Sequence, residues 1–347
     1  MNKYFNLIDK LQNSHTLTLN EYEALIENFS PELLKYAIEK ANQVRHKVYG
    51  NQVFIRGLIE VGNVCRNDCY YCGIRKSNKN IDRYTLSKRE VLECCENGYA
   101  LGFRTFVLQS GEGALSVGFV CDTIKDIKTT YPDCAVTLSL GEYSFENYKK
   151  MRDAGADRYL LRHETADKEH YEKLHPKNMS FENRMDALKN LKALGFQVGC
   201  GFMVGSPFQT PKTLAKDLKF IETFSPEMCG VGPYITHKDT PFNNCKSGSV
   251  ELTLFMLSII RLIKPNVLLP ATTALGSIKK DGREQGIMAG ANVVMPNLSP
   301  KAVRDKYALY DGKLSSNLES AQNVLNLKES LKSIGYEVVT SRGDIKI

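Results

Sequence analysis

Residues 65–72 read Cys-Arg-Asn-Asp-Cys-Tyr-Tyr-Cys, which spaces three cysteines as C-x₃-C-x₂-C. They directly follow an apolar, strand-like run at residues 53–60. Thiolates are soft ligands, and three of them on one short loop can hold three irons of a 4Fe-4S cube. The fourth iron then has no protein ligand, so another molecule must fill its open position. The stretch therefore predicts a reactive iron-sulfur site at the end of a strand.

Two other uses of clustered cysteines fit the sequence less well. A structural zinc site normally takes four ligands, and no C-x₂-C or histidine pair elsewhere in the chain would complete one. A disulfide framework requires secretion, and the N-terminus shows neither an apolar signal segment nor a cleavage site. We therefore expect the ten cysteines to lie in a reducing cytoplasm.

Length, hydrophobic content and charge indicate the size of the domain and the kinds of partner that the protein binds. The chain has 347 residues, 42% of them hydrophobic, which is ample for one large α/β domain or two smaller ones. No apolar run approaches the roughly 18–20 residues that span a bilayer, so we expect no membrane partner. The net charge of +7 comes from scattered Lys and Arg with no basic block, which argues against nucleic acid. A pocket for a small anionic substrate fits equally well.

The order of predicted elements indicates a (β/α)₈ barrel of the TIM type. A helical extension at residues 1–48 begins one helix at Ser30-Pro31, and a barrel follows at 49–312, then a C-terminal helix and basic tail at 313–347. Eight strands and intervening helices argue for a closed parallel sheet, with an open doubly wound sheet as the alternative. The strands are predicted at residues 53–60, 105–109, 135–140, 158–162, 197–204, 229–235, 267–271 and 291–295, with helices among others at 87–101, 117–130, 181–194 and 252–263.

Polar side chains collect where these strands end, which is where such barrels carry their active sites. In addition to the cysteine loop, the strand ends supply the apolar Met203 and nine polar residues, Gln109, Ser110, Glu112, Thr137, Ser139, Arg162, Glu164, Thr272 and Thr273. The turn at Ser110 and Glu112 could bind an ammonium group, or be an ordinary βα turn. Glu164 suits a ribose diol and a forked arginine suits a carboxylate, although Arg162, Glu164 and Arg184 could also form a surface ion-pair network. His163 should point away from Arg162 and pack, and His237 should be a solvated loop residue.

The cysteine spacing resembles that of the radical S-adenosylmethionine (SAM) superfamily, and longer strings resemble its HydE family of FeFe-hydrogenase maturases. The resemblance covers about residues 50–312. Its most specific strings are Gln-Ser-Gly-Glu at 109–112 and Arg-His-Glu-Thr at 162–165. It implies that SAM chelates the open iron and, on reduction, yields a 5′-deoxyadenosyl radical.

The resemblance also implies residue roles. Cys65, Cys69 and Cys72 would ligate the cluster, and Tyr71 would pack near the adenine of SAM. The rest of the implied SAM site is Ser110, Glu112, Ser139, Glu164, Arg184 and Met203. The implied substrate cavity is lined by Gln109, Thr137, Arg162, Thr272, Thr273 and Tyr307.

The family role is assembly of the hydrogenase di-iron subcluster. The implied substrate is an organometallic unit, a cysteine-bound Fe(CO)₂(CN), with the maturases HydG and HydF as partners. Because the last cysteine is Cys245, we expect one 4Fe-4S cluster and no second cluster near the C-terminus. A lysine mutase like methylornithine synthase and a non-enzymatic iron-sulfur carrier are the alternatives. Biotin synthase fits less well because Cys200 is out of phase with the inward-facing strand positions.

Overall fold

Three helices precede the sheet in the computed structural model, which describes residues 3–313 and 323–346. They are α1 (Lys3–Ser14), α2 (Leu19–Glu27) and α3 (Pro31–Tyr49). The predicted start of α3 is correct, since the Ser30 side chain accepts a hydrogen bond from the backbone N–H of Leu33. Buried Arg45 ties α3 to the barrel by donating to the carbonyls of Ala291, Gly50 and Gln52.

The strands are short and parallel. They are β1 (Gln52–Ile55), β2 (Gly57–Gly62), β3 (Thr105–Ser110), β4 (Ala135–Ser139), β5 (Arg158–Leu160), β6 (Gln197–Cys200), β7 (Met203–Val204), β8 (Met228–Cys229), β9 (Gly232–Pro233), β10 (Val293–Val294) and β11 (Glu337–Val339). Six of them form one sheet in the order β2-β3-β4-β5-β6-β8. The order of the strands in this sheet follows their order along the chain, as successive βα units require.

Single bridges close this sheet into a barrel. Met228 pairs with Leu268, Pro270 pairs with Val293, and Leu58 pairs with Asn297. The circuit therefore returns from the last strand position to β2 and leaves no open edge. The predicted (β/α)₈ barrel is confirmed, and the open doubly wound alternative is excluded.

The barrel helices begin close to where the sequence predicted. They are α4 (Lys88–Ala100), α5 (Val117–Thr130), α6 (Phe145–Asp153), α7 (Lys168–Leu174), α8 (Phe181–Ala193), α9 (Pro211–Phe224), α10 (Val250–Ile263), α11 (Thr273–Ile278), α12 (Gly282–Met288), α13 (Lys301–Arg304) and α14 (Val324–Ser333). Serine N-caps at Ser87, Ser116 and Ser180 explain this agreement, because each accepts a hydrogen bond from the first helical turn. Within the described residues, no helix is both long and apolar enough to cross a membrane.

Four predicted strands are not continuous in the structure: three divide in two, and one forms only single bridges. Residues 53–60 divide into β1 and β2, and 197–204 divide into β6 and β7 at Gly201, whose φ is +152°. A Cβ at Gly201 would lie 2.0 Å from the carbonyl oxygen of Gly230, so the two loops touch only because this residue is glycine. Residues 229–235 divide likewise into β8 and β9, and 267–271 contributes only single bridges.

The C-terminal segment contains a strand in addition to the predicted helix and basic tail. After α14, β11 pairs in parallel with β1, and the residues beyond it cover the N-terminal end of the barrel. There the fully buried Arg158 donates to Asp344 (2.5 Å) and to the carbonyl of Arg342 (2.8 Å). The tail therefore neutralises a charge inside the barrel. The three-part division at residues 48 and 312 stays a prediction, and residues 314–322 of its last part lie outside the described residues.

Candidate active site

The cysteine loop follows β2 and is folded by its own side chains. The carboxylate of Asp68 accepts hydrogen bonds from Arg75 Nε (2.7 Å), the backbone N–H of Ser77 (3.0 Å) and its hydroxyl (2.6 Å). The bond from Arg75 is the main reason that the pKa of Asp68 is lowered. Asn63 donates to the carbonyls of Asp82 (2.8 Å) and Lys306 (2.6 Å). The loop is therefore held in shape by the polypeptide itself.

Residues at the end of β3 pack against the cysteine loop. A Cβ at Gly111 would lie 2.1 Å from the carbonyl oxygen of Val64 and 2.9 Å from the Cβ of Cys65, so only glycine fits here. The backbone N–H of Arg66 donates to the carbonyl of Glu112 (2.8 Å). The predicted turn at residues 110–112 thus carries the cysteine loop, a role that the sequence did not reveal.

The three thiols are free and lie in one another's electrostatic field. Burial raises the pKa of all three thiols, and neighbouring thiols add to the rise for Cys69 and Cys72, so that the pKa of Cys72 reaches about 12. Three crowded thiolates repel one another, and bound iron would compensate their charge. Across residues 3–313 and 323–346, no three His, Cys, Asp or Glu side chains converge on one metal ion. A 4Fe-4S cube takes each thiolate on a different iron, so three thiols on one short loop suit the cube.

Tyr71 is oriented by His175, which the sequence analysis missed. His175 Nδ1 lies 2.9 Å from the carbonyl of Tyr171, which can only accept, so this nitrogen carries the proton. Burial, followed by the charge of Arg184, lowers the pKa of His175 to about 4. The ring is therefore neutral at pH 7, and its Nε2 accepts from the Tyr71 hydroxyl at 3.2 Å.

A charged network crosses the ends of three strands. Glu142, after β4, donates its backbone N–H to Glu112 (2.9 Å) and accepts from Arg184 Nε (2.5 Å). Arg184 also donates to the carbonyl of Arg162 (2.7 Å), and Arg162 Nη2 lies 3.2 Å from Glu164 Oε2. Four predicted residues are thus joined through Glu142, which the sequence analysis did not single out.

Glu164 has a strained backbone. Its φ is +65°, in the left-handed region that non-glycine residues seldom adopt, and its backbone N–H donates to the carbonyl of Gly201 (3.0 Å). The same strand places His163 on the other side, where Gly201 N–H donates to Nδ1 (3.2 Å) and Asp217 lies 3.3 Å from Nε2. His163 therefore packs away from the site, as predicted. Strain of this kind is commonly found at functional sites.

Several buried polar atoms on the predicted site residues make no hydrogen bond to the protein. Thr137 Oγ1, Arg162 Nε and Thr272 Oγ1 have no partner, whereas Arg162 Nη2 and Glu164 Oε2 face each other as an ion pair at 3.2 Å. Such a group costs about 1–3 kcal/mol when left unpaired. Five of the ten such atoms among the described residues lie on residues predicted to contact a ligand, which fits a site that takes a polar ligand.

The other predicted residues lie at the same end of the barrel. Ser110 is buried and its hydroxyl donates to the Gly111 carbonyl (2.9 Å), and Gln109 and Ser139 are register partners on β3 and β4. Met203 is buried on β7, Thr273 begins α11, and Tyr307 is buried beside Lys313. All of them therefore belong to the half of the barrel that holds the cysteine loop.

One ion pair inside the barrel could not be predicted. Lys313 binds Glu60, on β2, and donates to the Tyr307 carbonyl (2.8 Å), while Asn297 donates to the other oxygen of Glu60 (2.9 Å). Glu60 is only 1% exposed. This pair fastens the segment after α13 to the barrel interior.

Two expectations on single residues have clear outcomes. His237 is buried against Gly73, so the prediction of a solvated loop histidine was wrong. Cys200 is buried on the outer side of β6 within the core, as its phase predicted. It therefore contributes no thiol to the barrel interior.

Comparison with known proteins assigns this chain to a family. The sequence profile of the radical SAM superfamily matches residues 59–221, and the chain is 46% identical over 275 residues to the FeFe-hydrogenase maturase subunit HydE of Thermotoga maritima. That alignment covers 79% of this chain and 78% of the relative. The chain belongs to the HydE family. It is a radical SAM enzyme, and it binds a 4Fe-4S cluster and SAM.

Other relatives share the architecture. The 3-methylornithine synthase of Methanosarcina acetivorans is 28% identical over 95% of this chain and 92% of its own length. The crystal structure of methylornithine synthase (PylB) matches with a TM-score of 0.83 at 26% identity, covering 96% of this chain and 97% of that one. The crystal structure of HydG matches with a TM-score of 0.79 at 23% identity, covering 97% and 76%, which shows a common fold. The 46% identity to HydE and the radical SAM profile show that this HydE-family chain is a SAM-cleaving radical enzyme of hydrogenase maturation.

Proposed function

We propose that this enzyme acts on a cysteine-bound Fe(CO)₂(CN) unit during assembly of the hydrogenase di-iron subcluster. The observation that carries the proposal is the guanidinium of Arg162, whose Nε has no protein partner and whose Nη2 pairs with Glu164, together with the unpartnered hydroxyls of Thr137 and Thr272. A forked guanidinium suits the carboxylate of a cysteine ligand, and hydroxyl donors suit its oxygens or a cyanide nitrogen. Gln109, Thr273 and Tyr307 complete the proposed substrate cavity.

SAM is proposed to lie between this cavity and the cysteine loop. Cys65, Cys69 and Cys72 hold the cluster, which supplies the electron that cleaves SAM. Tyr71, fixed by His175, packs against the adenine, and the carboxylate of Glu164, which also pairs with Arg162, accepts from a ribose hydroxyl. Glu112 retains acceptor capacity for the methionine ammonium beside its bonds to Arg66 and Glu142. Ser110, Ser139, Arg184 and Met203 shape the remainder of the SAM site.

The proposed setting follows from this substrate. An iron carbonyl-cyanide unit is delivered by HydG, and the product passes toward HydF. A cytoplasmic location suits an enzyme with ten free or cluster-bound cysteines.

The test is anaerobic SAM cleavage with and without the cysteine-bound iron complex. The protein is reconstituted, reduced and given SAM, and 5′-deoxyadenosine is quantified. We expect the complex to stimulate its formation strongly. Equal formation with and without the complex would overturn the proposed substrate while leaving the radical enzyme intact.

A lysine mutase is the second candidate because methylornithine synthase aligns over 95% of this chain. The same assay with lysine distinguishes the two. Methylornithine detected by mass spectrometry would favour the mutase, and its absence together with stimulation by the iron complex would favour the hydrogenase substrate.

A further inference from the structure

Phe208 exposes an aromatic ring in an unusual backbone conformation. It lies in the loop between β7 and α9, is 58% exposed, and has a φ of +66°. A bulky residue seldom adopts the left-handed region, and a large apolar ring gains nothing from facing water. Folding alone therefore does not explain this residue, and Phe208 belongs to neither the proposed SAM site nor the proposed substrate cavity.

A row of three rings leads from Phe208 to the cysteine loop. The Phe208 and Phe242 centroids lie 5.9 Å apart at 73°, and those of Phe242 and Tyr70 lie 6.0 Å apart at 81°. Both pairs have the edge-to-face geometry that aromatic rings prefer. Tyr70 is the residue between Cys69 and Tyr71, so the row connects the surface directly with the loop that holds the cluster.

The surface around the outer end of the row is basic. Lys173 Nζ lies 5.8 Å from the centroid of the Phe208 ring, and a surface cavity of about 560 Å³ beside it is lined by four lysines and three acidic residues, Asp167, Glu169 and Glu172. Two of these lysines are ion-paired, Lys168 with Glu182 (2.6 Å) and Lys216 with Asp167 (2.5 Å), whereas Lys173 and Lys212 are in no ion pair with a described residue. Over segments 73–80, 167–177, 205–216 and 237–247, eight exposed lysines stand against two exposed glutamates, with Asp167 and Asp239 half-buried. An exposed ring surrounded by lysines suits a partner with an acidic rim and an apolar centre.

We propose that this surface, formed by Phe208 and the lysines around it, docks an acidic one-electron carrier protein that reduces the cluster. The carrier's reduced centre loses one electron and the cluster gains one, so no further reactant is needed. Electron transfer weakens steeply with distance, and the aromatic row marks the approach from this surface to the cysteine loop. The inference rests on SAM cleavage alone and is independent of the proposed substrate.

Binding is tested first, without turnover. Oxidised flavodoxin, an acidic carrier, is titrated into the reconstituted protein by calorimetry at low and high salt. The Lys173→Glu/Lys212→Glu variant should weaken binding at least tenfold, and salt should weaken wild-type binding because exposed charges are screened. The control Lys35→Glu/Lys47→Glu makes the same charge change on α3 and should bind as the wild type does. Equal weakening in both variants would overturn the proposal, since it would indicate net charge and not this surface.

Phe208→Gly tests the ring without harming the fold, because glycine adopts a positive φ freely. The variant should unfold at the same or a higher urea concentration and should bind flavodoxin at least tenfold more weakly. Unchanged binding would remove Phe208 from the surface.

Assays with two different reductants separate an effect on flavodoxin docking from an effect on SAM cleavage. With reduced flavodoxin as donor, Phe208→Gly and Lys173→Glu/Lys212→Glu should raise the KM for flavodoxin at least tenfold. With sodium dithionite, both variants should form 5′-deoxyadenosine at the wild-type rate. An equal loss of 5′-deoxyadenosine formation with both reductants would contradict docking at this surface. An unchanged KM for flavodoxin in both variants would also contradict it.

Discussion

The guanidinium of Arg66 binds the carboxylate of Glu112 through Nε at 2.9 Å and Nη2 at 2.7 Å. One residue belongs to the cysteine loop and the other to the end of β3, so the pair joins the proposed cluster site to the proposed ammonium site. The carboxylate is buried, whereas the arginine side chain is 58% exposed. Glu112 therefore combines an observed contact with the cysteine loop and a proposed contact with the SAM ammonium, which substitution can separate.

We expect Glu112→Gln and Arg66→Leu to differ in SAM affinity. Both variants lose the ion pair, but only Glu112→Gln loses the carboxylate that would bind the ammonium of SAM. A hydrogen bond to a charged group contributes about 1.5–3 kcal/mol, so the Kd for SAM should rise at least about tenfold in Glu112→Gln. Calorimetry on the reconstituted, oxidised proteins measures it, and Arg66→Leu serves as the matched control. Equal affinities in the two variants would leave Glu112 with the loop-supporting role only.

His175 should make stability depend on pH. Its pKa is lowered from 6.5 to about 4 in the fold, so the unfolded chain binds the proton more readily. Stability is therefore lost as the pH falls from about 6.5 toward 4. Between pH 7 and pH 5 the apo-protein should lose about 2 kcal/mol more than His175→Gln, which cannot titrate. Urea unfolding at both values measures the difference, and parallel pH profiles would show that His175 is not held neutral.

The Glu60–Lys313 pair should behave as a coupled unit. Removing one partner of a buried ion pair leaves an uncompensated charge and costs about 3–5 kcal/mol. Lys313→Met should therefore be strongly destabilising, and adding Glu60→Gln to it should restore part of the loss. Urea unfolding of the two single variants and the double variant forms the cycle. Strictly additive changes would mean that the pair is not coupled.

Arg162→Lys should separate substrate response from SAM cleavage. Lysine keeps the charge but not the planar fork, so a bidentate carboxylate contact is lost. We expect unchanged cluster content and basal 5′-deoxyadenosine, with stimulation by the cysteine-bound iron complex reduced about tenfold or more. Iron analysis and product quantification on the same sample measure both. Full stimulation in the variant would remove Arg162 from the substrate cavity.

The sequence revealed those features that depend on local patterns. Alternating strand and helix signals predicted the barrel, and the cysteine spacing predicted the loop that follows β2. Contacts between residues far apart in sequence were not predictable. Glu60 and Lys313 are 253 residues apart, β11 joins β1 from the other end of the chain, and His175 becomes important only because α7 places it beside Tyr71. The interrupted strands were missed because close approaches such as that of Gly201 and Gly230 depend on the closed barrel.

The most direct test of the account is iron content and SAM cleavage in Cys69→Ala beside Cys121→Ala, which removes a half-buried cysteine of α5 outside the loop. Both proteins are reconstituted anaerobically, reduced with dithionite and incubated with SAM. The wild type and Cys121→Ala should each contain about four irons and four sulfides per chain and form 5′-deoxyadenosine. Cys69→Ala should remain folded and form none. Product from Cys69→Ala, or an intact reduced wild-type cluster that leaves SAM uncleaved, would contradict the assignment, and about eight irons per chain would contradict the single cluster.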